Sequence, residues 1–146
     1  YYAFDIAPGF WSSLMGHAQG GRVVSIDHVL GELRKGDDEL MRWADREFRP
    51  WFRKTDSAAV VVSYGKVMEW VQQQSRFTEA AKAQFADCAD GWLVAYAMAE
   101  DCLLVTQEVG RPESRRRVFI PDVCTPFGVT CLSTFQMMRE SGIRLT

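Results

Sequence analysis

The sequence predicts an α/β protein, a three-layer α/β/α sandwich around a central and mainly parallel sheet. Three observations lead there. Four short runs rich in β-branched or aromatic residues each stop at a polar residue, as buried strands do. Segments with helical spacing of apolar residues lie between them, and strands alternating with helices favour a parallel sheet covered on both faces. The chain has 146 residues, 47% hydrophobic and 25% charged, which is enough for one domain with a sizeable core. We therefore read residues 1–146 as a single domain.

In chain order, Tyr1-Tyr2-Ala3-Phe4 reads as the first strand, ending at Asp5. Phe10-Trp11 and Leu14-Met15 keep the i, i+4 spacing of a helix, which Gly20-Gly21 closes. Arg22–Ile26 is the second strand, ending at Asp27 and followed by a short helix over His28–Leu33 up to Gly36. Asp37-Asp38 caps a helix carrying Leu40, Met41, Trp43 and Ala44. Phe48, Trp51 and Phe52 are interleaved with Arg46, Arg49, Arg53 and Lys54. That mixture suits base stacking, but it suits a core helix end with snorkelling arginines better. Ala58–Val62 reads mainly as helix, because it runs into Met68, Trp70 and Val71 at helical spacing. Asp90 opens a helix with Leu93, Val94, Ala97 and Met98 on one face. Cys102–Val105 and Val129–Leu132 are the remaining strands, ending at Thr106 and Ser133, and Phe135, Met137 and Met138 mark a last helix closed by Gly142.

Composition removes several function classes. With 17 basic against 19 acidic residues the net charge is −2, so coating nucleic acid by charge alone is excluded and any nucleic-acid role needs a local patch or a metal. No apolar stretch approaches the roughly 20 residues of a membrane span, and no leader is expected. Cys88, Cys102, Cys124 and Cys131 form no CxxC pair and only His17 and His28 accompany them, which gives a zinc site no spacing. Reduced, structural thiols in a cytoplasmic protein are the expectation. Gly20-Gly21 lacks the Lys-Ser/Thr of a phosphate loop.

Carboxylates fall where α/β proteins place their chemistry, beyond the carboxyl ends of strands. Asp5 follows the first strand, Glu32 lies shortly after the second, Asp90 opens the helix leading to the third, and Glu108 stands just beyond it. Taken singly, each has a plain reading as a turn residue, solvated helix acid, cap or loop acid. Taken together, four acids from four segments suit a hard divalent cation, Mg²⁺ or Mn²⁺, which relieves their mutual repulsion and supports phosphoryl chemistry.

These residues also resemble a family. Phe4-Asp5, Val29-x-x-Glu32-Leu33, Ala89-Asp90-x-x-Leu93-Val94-Ala95-x-Ala97 and Leu104-Val105-Thr106-x-Glu108 resemble the PIN-domain ribonucleases, which include the toxins of VapBC-type toxin–antitoxin pairs. Gly36-Asp37-Asp38-Glu39-Leu40-x-x-Trp43-Ala44, Val105-Thr106-Gln107-Glu108 and Val118-x-Ile120-Pro121-Asp122-Val123-Cys124 look more closely like a PIN-like bacterial family that long carried only an uncharacterised-domain label. The resemblance implies that Asp5, Glu32, Asp90 and Glu108 hold Mg²⁺ or Mn²⁺ and that Thr106 supports them. Asp122 is then an added acid near the pocket, unless it caps the turn over residues 123–127. It further implies an endoribonuclease toxin with an RNA substrate, a small antitoxin protein as partner, and room for a homodimer.

Two features depart from the PIN pattern. Asp5 is followed by Ile6-Ala7-Pro8 instead of a hydroxyl residue and a crossover helix. A segment is therefore expected to be missing between Asp5 and Ile6, since two parallel strands need a crossover. Glu stands at position 108 where the superfamily usually shows Asp. Arg111, Arg115, Arg116 and Arg117 form a basic loop after Glu108, suited either to steering an RNA backbone or simply to solvation. Beside the nuclease, a catalytically inactive PIN-like protein- or RNA-binding module and a small-molecule phosphatase stay open.

Overall fold

A computed structural model describes residues 1–145. The fold is α/β, with helix predominating and the strands short and parallel. Its contacts divide the chain into two compact units, Tyr1–Arg53 with Thr134–Thr146, and Lys54–Ser133.

The first unit carries α1 (Pro8–Gln19), β1 (Ser25–Ile26), α2 (Asp27–Leu33), α3 (Glu39–Trp43), β2 (Phe52–Arg53) and α8 (Thr134–Ser141). Pro8 starts α1, where its missing N–H costs nothing, and Gly20 ends it, with Gly21 at φ 74° turning the chain toward β1. Asp38 caps α3, its carboxylate accepting from Met41 N at 2.8 Å. The core is aromatic. Phe10 and Trp11 are buried with Met138 and Ile143, and Phe4 stacks on Trp11 at 4.2 Å.

Two expectations are corrected here. Tyr1–Phe4 is not a strand: Ile6 N and Ala7 N both donate to Ala3 O, at 3.2 and 2.9 Å, so the chain turns at residues 4–6. The aromatic run is apolar because its rings pack on α1, and Trp11 Nε1 donates to Tyr2 O at 3.1 Å. With no strand at this point, the reason for a crossover segment between Asp5 and Ile6 disappears. The stretch after α3 does not stay α-helical either. A π-helical turn over Ala44–Phe48 and a 3₁₀ turn over Arg49–Trp51 lead into β2, which pairs in parallel with β1, Ser25 opposite Phe52. Phe48 is buried against Trp43 and Phe52 while Arg46, Arg49 and Arg53 are exposed, so the aromatics there serve packing.

The second unit carries α4 (Ala58–Gln73), α5 (Glu79–Ala86), α6 (Asp90–Glu100), β3 (Leu104–Val105), α7 (Ile120–Cys124) and β4 (Cys131–Leu132). Ser57 and Thr78 cap α4 and α5, accepting from Val60 N and Ala81 N. The helical reading of residues 58–62 agrees with α4, whose Val60, Val67 and Val71 form the buried stripe. The core joins Val67, Val71, Phe77, Phe85, Val94, Leu104 and Val123. Asp101 ends α6 in the left-handed region at φ 54°, a conformation that Asp tolerates.

The strands do not make one central sheet. Among the described residues they form two separate parallel ladders, β1–β2 and β3–β4, each two residues long. The α/β class stands at that level. No helix among the described residues is long and apolar enough to cross a membrane.

Candidate functional site

In the second unit, α6 and β3 are joined by only three residues and pack on each other, so the chain reverses between them. Asp90 is the first residue of α6, and the Thr106–Glu108 segment follows β3, beyond the carboxyl end of a parallel strand.

At that end Glu108 is held tightly. Its Oε1 accepts from Arg117 Nη2 at 2.7 Å and its Oε2 accepts from Ile120 N at 2.7 Å, while its own N–H donates to Thr106 Oγ1 at 3.1 Å. The Glu108 side chain is 18% exposed and that of Arg117 is 55% exposed. Ile120 is the first residue of α7, so the carboxylate fills the place of a missing cap there; Phe119, at the cap position, has no side-chain acceptor.

Asp122 makes a second tie. Its Oδ2 accepts from Arg111 N at 2.8 Å, and a Cβ added to Gly110 would stand 2.8 Å from its Oδ1. Asp122 sits inside α7 rather than ahead of the turn at 123–127. Arg117 and Arg111 both place their guanidinium groups over the Phe119 ring, 4.8 and 5.5 Å from its centroid. Arg115 and Arg116 are exposed on the same loop, and the Arg115 carbonyl accepts from Thr78 N at 2.9 Å.

Nothing in the local pattern announces these ties, because Glu108 meets its partners nine and twelve residues away. For Asp122 alone there is a signal, Gly110, since a residue without Cβ is what the Asp122 carboxylate needs beside it.

Asp5 and Glu32 are in the first unit, both exposed, Asp5 in the turn after Phe4 and Glu32 on α2. Among the described residues no group of three or more His, Cys, Asp or Glu side chains stands together as a metal cage. The donors of the second unit, carboxylates with a hydroxyl beside them, suit Mg²⁺ or Mn²⁺ in chemistry. For Glu108 to contribute an oxygen, Arg117 has to give way.

All four cysteines are free. Burial pushes Cys124 and Cys131 up, the two thiols sharing a hydrogen bond, and the Glu108 carboxylate raises Cys131 further. Burial likewise raises Cys102. Protonated thiols are poor nucleophiles and poor metal ligands.

The family described as Domain of unknown function (DUF4411) matches residues 1–145. The chain belongs to that family. No curated protein and no solved structure matches it significantly.

Proposed function

We propose that the chain is a metal-dependent endoribonuclease of PIN-like α/β/α architecture, the toxin of a toxin–antitoxin pair, acting in the cytoplasm and neutralised by a small protein partner. What supports this reading is an acid at the start of α6, Asp90, a second acid just beyond β3, Glu108, and the basic Arg111–Arg117 loop that follows and bonds to Glu108. Bound at these carboxylates, Mg²⁺ or Mn²⁺ supplies the activation of water that attack on an RNA phosphodiester needs. The chain's own contribution is positional. Thr106 fixes the backbone at Glu108, α7 anchors that carboxylate, and the arginines offer charge to the phosphate backbone.

The test is incubation of the purified chain with a pool of structured RNAs, with Mn²⁺ or with EDTA, beside Asp90→Asn. Discrete cuts that vanish in both controls are expected. Intact RNA across many substrates, with no rise in melting temperature on adding Mn²⁺, overturns the reading. Asp5→Asn and Glu32→Gln belong in the same assay, as variants of the first unit's acids.

One observation favours a second reading, a catalytically inactive PIN-like module that binds protein or RNA. Both oxygens of Glu108 already accept hydrogen bonds from the protein. Such a module gains no stability from Mn²⁺, whereas a metal enzyme does.

A further inference from the structure

We infer that Arg115 and Arg116 are the groups that grip the substrate, and that their loop holds the phosphodiester backbone of RNA without regard to base. This rests on the ribonuclease reading above and names how its RNA is held. The four arginines of the loop are not equivalent. Arg117 is paired with Glu108 at 2.7 Å, and Arg111 and Arg117 both lie over the Phe119 ring. Arg115 and Arg116 are exposed, and among the described residues neither has a carboxylate partner. Their guanidinium forks are left for a ligand, and such a fork matches the geometry of a phosphate.

The loop presents this pair on a fixed frame. Pro112 sets φ at the second position of a turn that Ser114 N closes on Arg111 O at 2.9 Å. Ser114 Oγ donates to Arg117 O at 2.9 Å, and Thr78 N, at the cap of α5, donates to Arg115 O at 2.9 Å. A loop fixed beforehand loses less freedom on binding. Its surface offers cations and little else. Val118 and Ile120 are buried, and the Phe119 ring already carries the other two arginines. A protein partner takes most of its binding energy from buried apolar anchors. Phosphate contacts need only charge and donors, and they carry no sequence information. Phe119 is the one aromatic residue between 111 and 120, so the loop leaves a base nothing to stack on. Glu113, exposed on the same loop, opposes the pair.

The test is fluorescence anisotropy of the whole chain with labelled oligouridylate and oligocytidylate, in EDTA so that neither is cut, between about 50 and 200 mM salt. Arg115→Gln/Arg116→Gln is expected to weaken binding on the order of tenfold and to lower the salt slope by about 1.4, the loss of two phosphate contacts on a single strand. Arg117→Gln, whose partner is Glu108, is expected to leave the slope unchanged, and Glu113→Gln to tighten binding. The two oligomers are expected to bind alike. Arg49→Gln/Arg53→Gln removes the same charge from exposed arginines of the first unit and is expected to leave the slope unchanged. Arg115 is held through its carbonyl, so the loop variant keeps its frame. If melting curves show otherwise, Arg116→Gln alone carries half the change in slope. Equal losses in the two double variants would assign binding to net charge and overturn the inference. So would a strong preference for one oligomer. An oligoglutamate that displaces the labelled RNA as well as unlabelled oligouridylate does would mark a surface for an acidic peptide and overturn it too. Tight binding by wild type that the loop variant retains overturns the role of the pair and leaves the ribonuclease reading standing. Absence of binding by wild type also overturns the inference, and the cleavage assay with Mn²⁺ or EDTA then decides the ribonuclease reading on its own.

Discussion

Glu108 and Arg117 are joined by a 2.7 Å hydrogen bond between Oε1 and Nη2, and the second oxygen of the same carboxylate receives the Ile120 N–H. One side chain thus ties the end of β3 to the basic loop and to the start of α7. Its removal has a stability cost separate from any effect on activity. Glu108→Ala leaves the part-buried Ile120 N–H without its acceptor and is expected to cost about 2 kcal/mol. Glu108→Gln keeps an oxygen for that N–H and is expected to cost about half as much. Urea denaturation of both variants checks the order; equal losses would show that the ion pair, not the backbone bond, carries the stability.

Gly110 and Asp122 are expected to behave as a pair. Gly110→Ala brings a Cβ to 2.8 Å from Asp122 Oδ1, and that carboxylate cannot swing away without giving up Arg111 N. A loss of about 1–2 kcal/mol follows from the displaced hydrogen bond. Asp122→Ala removes the obstacle, so adding Gly110→Ala to it should cost almost nothing more. Additive losses in a double-mutant cycle would contradict this geometry.

Gly91 separates two opposing effects. As the second residue of α6 it is a poor helix former, and Ala there gains up to about 1 kcal/mol in propensity. The new methyl, however, would meet Tyr64 Cε2 at 3.1 Å and Phe85 Cε1 at 3.2 Å. Tyr64 is stacked on Trp92 at 3.7 Å with the rings 3° from parallel, so it has little freedom to move. Overpacking costs about 1–3 kcal/mol, which exceeds the propensity gain. Net destabilisation is therefore expected in a thermal melt, and an increase in melting temperature would show that the rings yield.

Alkaline pH should reveal the buried thiols. Cys124 ionises near its ordinary value of 9.0 in the unfolded chain, but burial raises it in the fold. The group with the raised folded value holds its proton more tightly in the native state. Its contribution to stability is complete below about pH 9 and is lost as pH climbs above that. Melting temperature should fall more steeply between pH 8 and about 10.5 in wild type than in Cys124→Ala. Parallel curves would mean that the thiol is not protected by the fold.

Much of the fold was legible along the chain. The cap at Asp38, the glycines after α1 and α8, and the helical spacing of Met68, Trp70 and Val71 are local signals, each decided within a turn or two of helix. The strand at Ser25–Ile26 and the paired strands at Leu104–Val105 and Cys131–Leu132 fall inside the apolar runs that predict them. Tyr1–Phe4 misled because an aromatic run has the same composition whether it joins a ladder or packs on a helix. Phe52–Arg53 was hidden because its partner, β1, lies a whole helical segment earlier.

The candidate site divides in the same way. Residue types and their positions after strands and at helix starts select Asp5, Glu32, Asp90 and Glu108 without any coordinates, and the family resemblance adds Thr106. What those residues touch is another matter. Glu108 was legible as an acid beyond a strand, yet its engagement by Arg117 and the Ile120 N–H depends on the loop folding back over nine and twelve residues. The sequence by itself determined where α1, α2, α3, α4, α6 and α8 run, though not α5 or α7, because backbone hydrogen bonding and side-chain periodicity are short-range. Only the tertiary structure decided which charge meets which, because those contacts depend on where loop closure brings distant parts of the chain together.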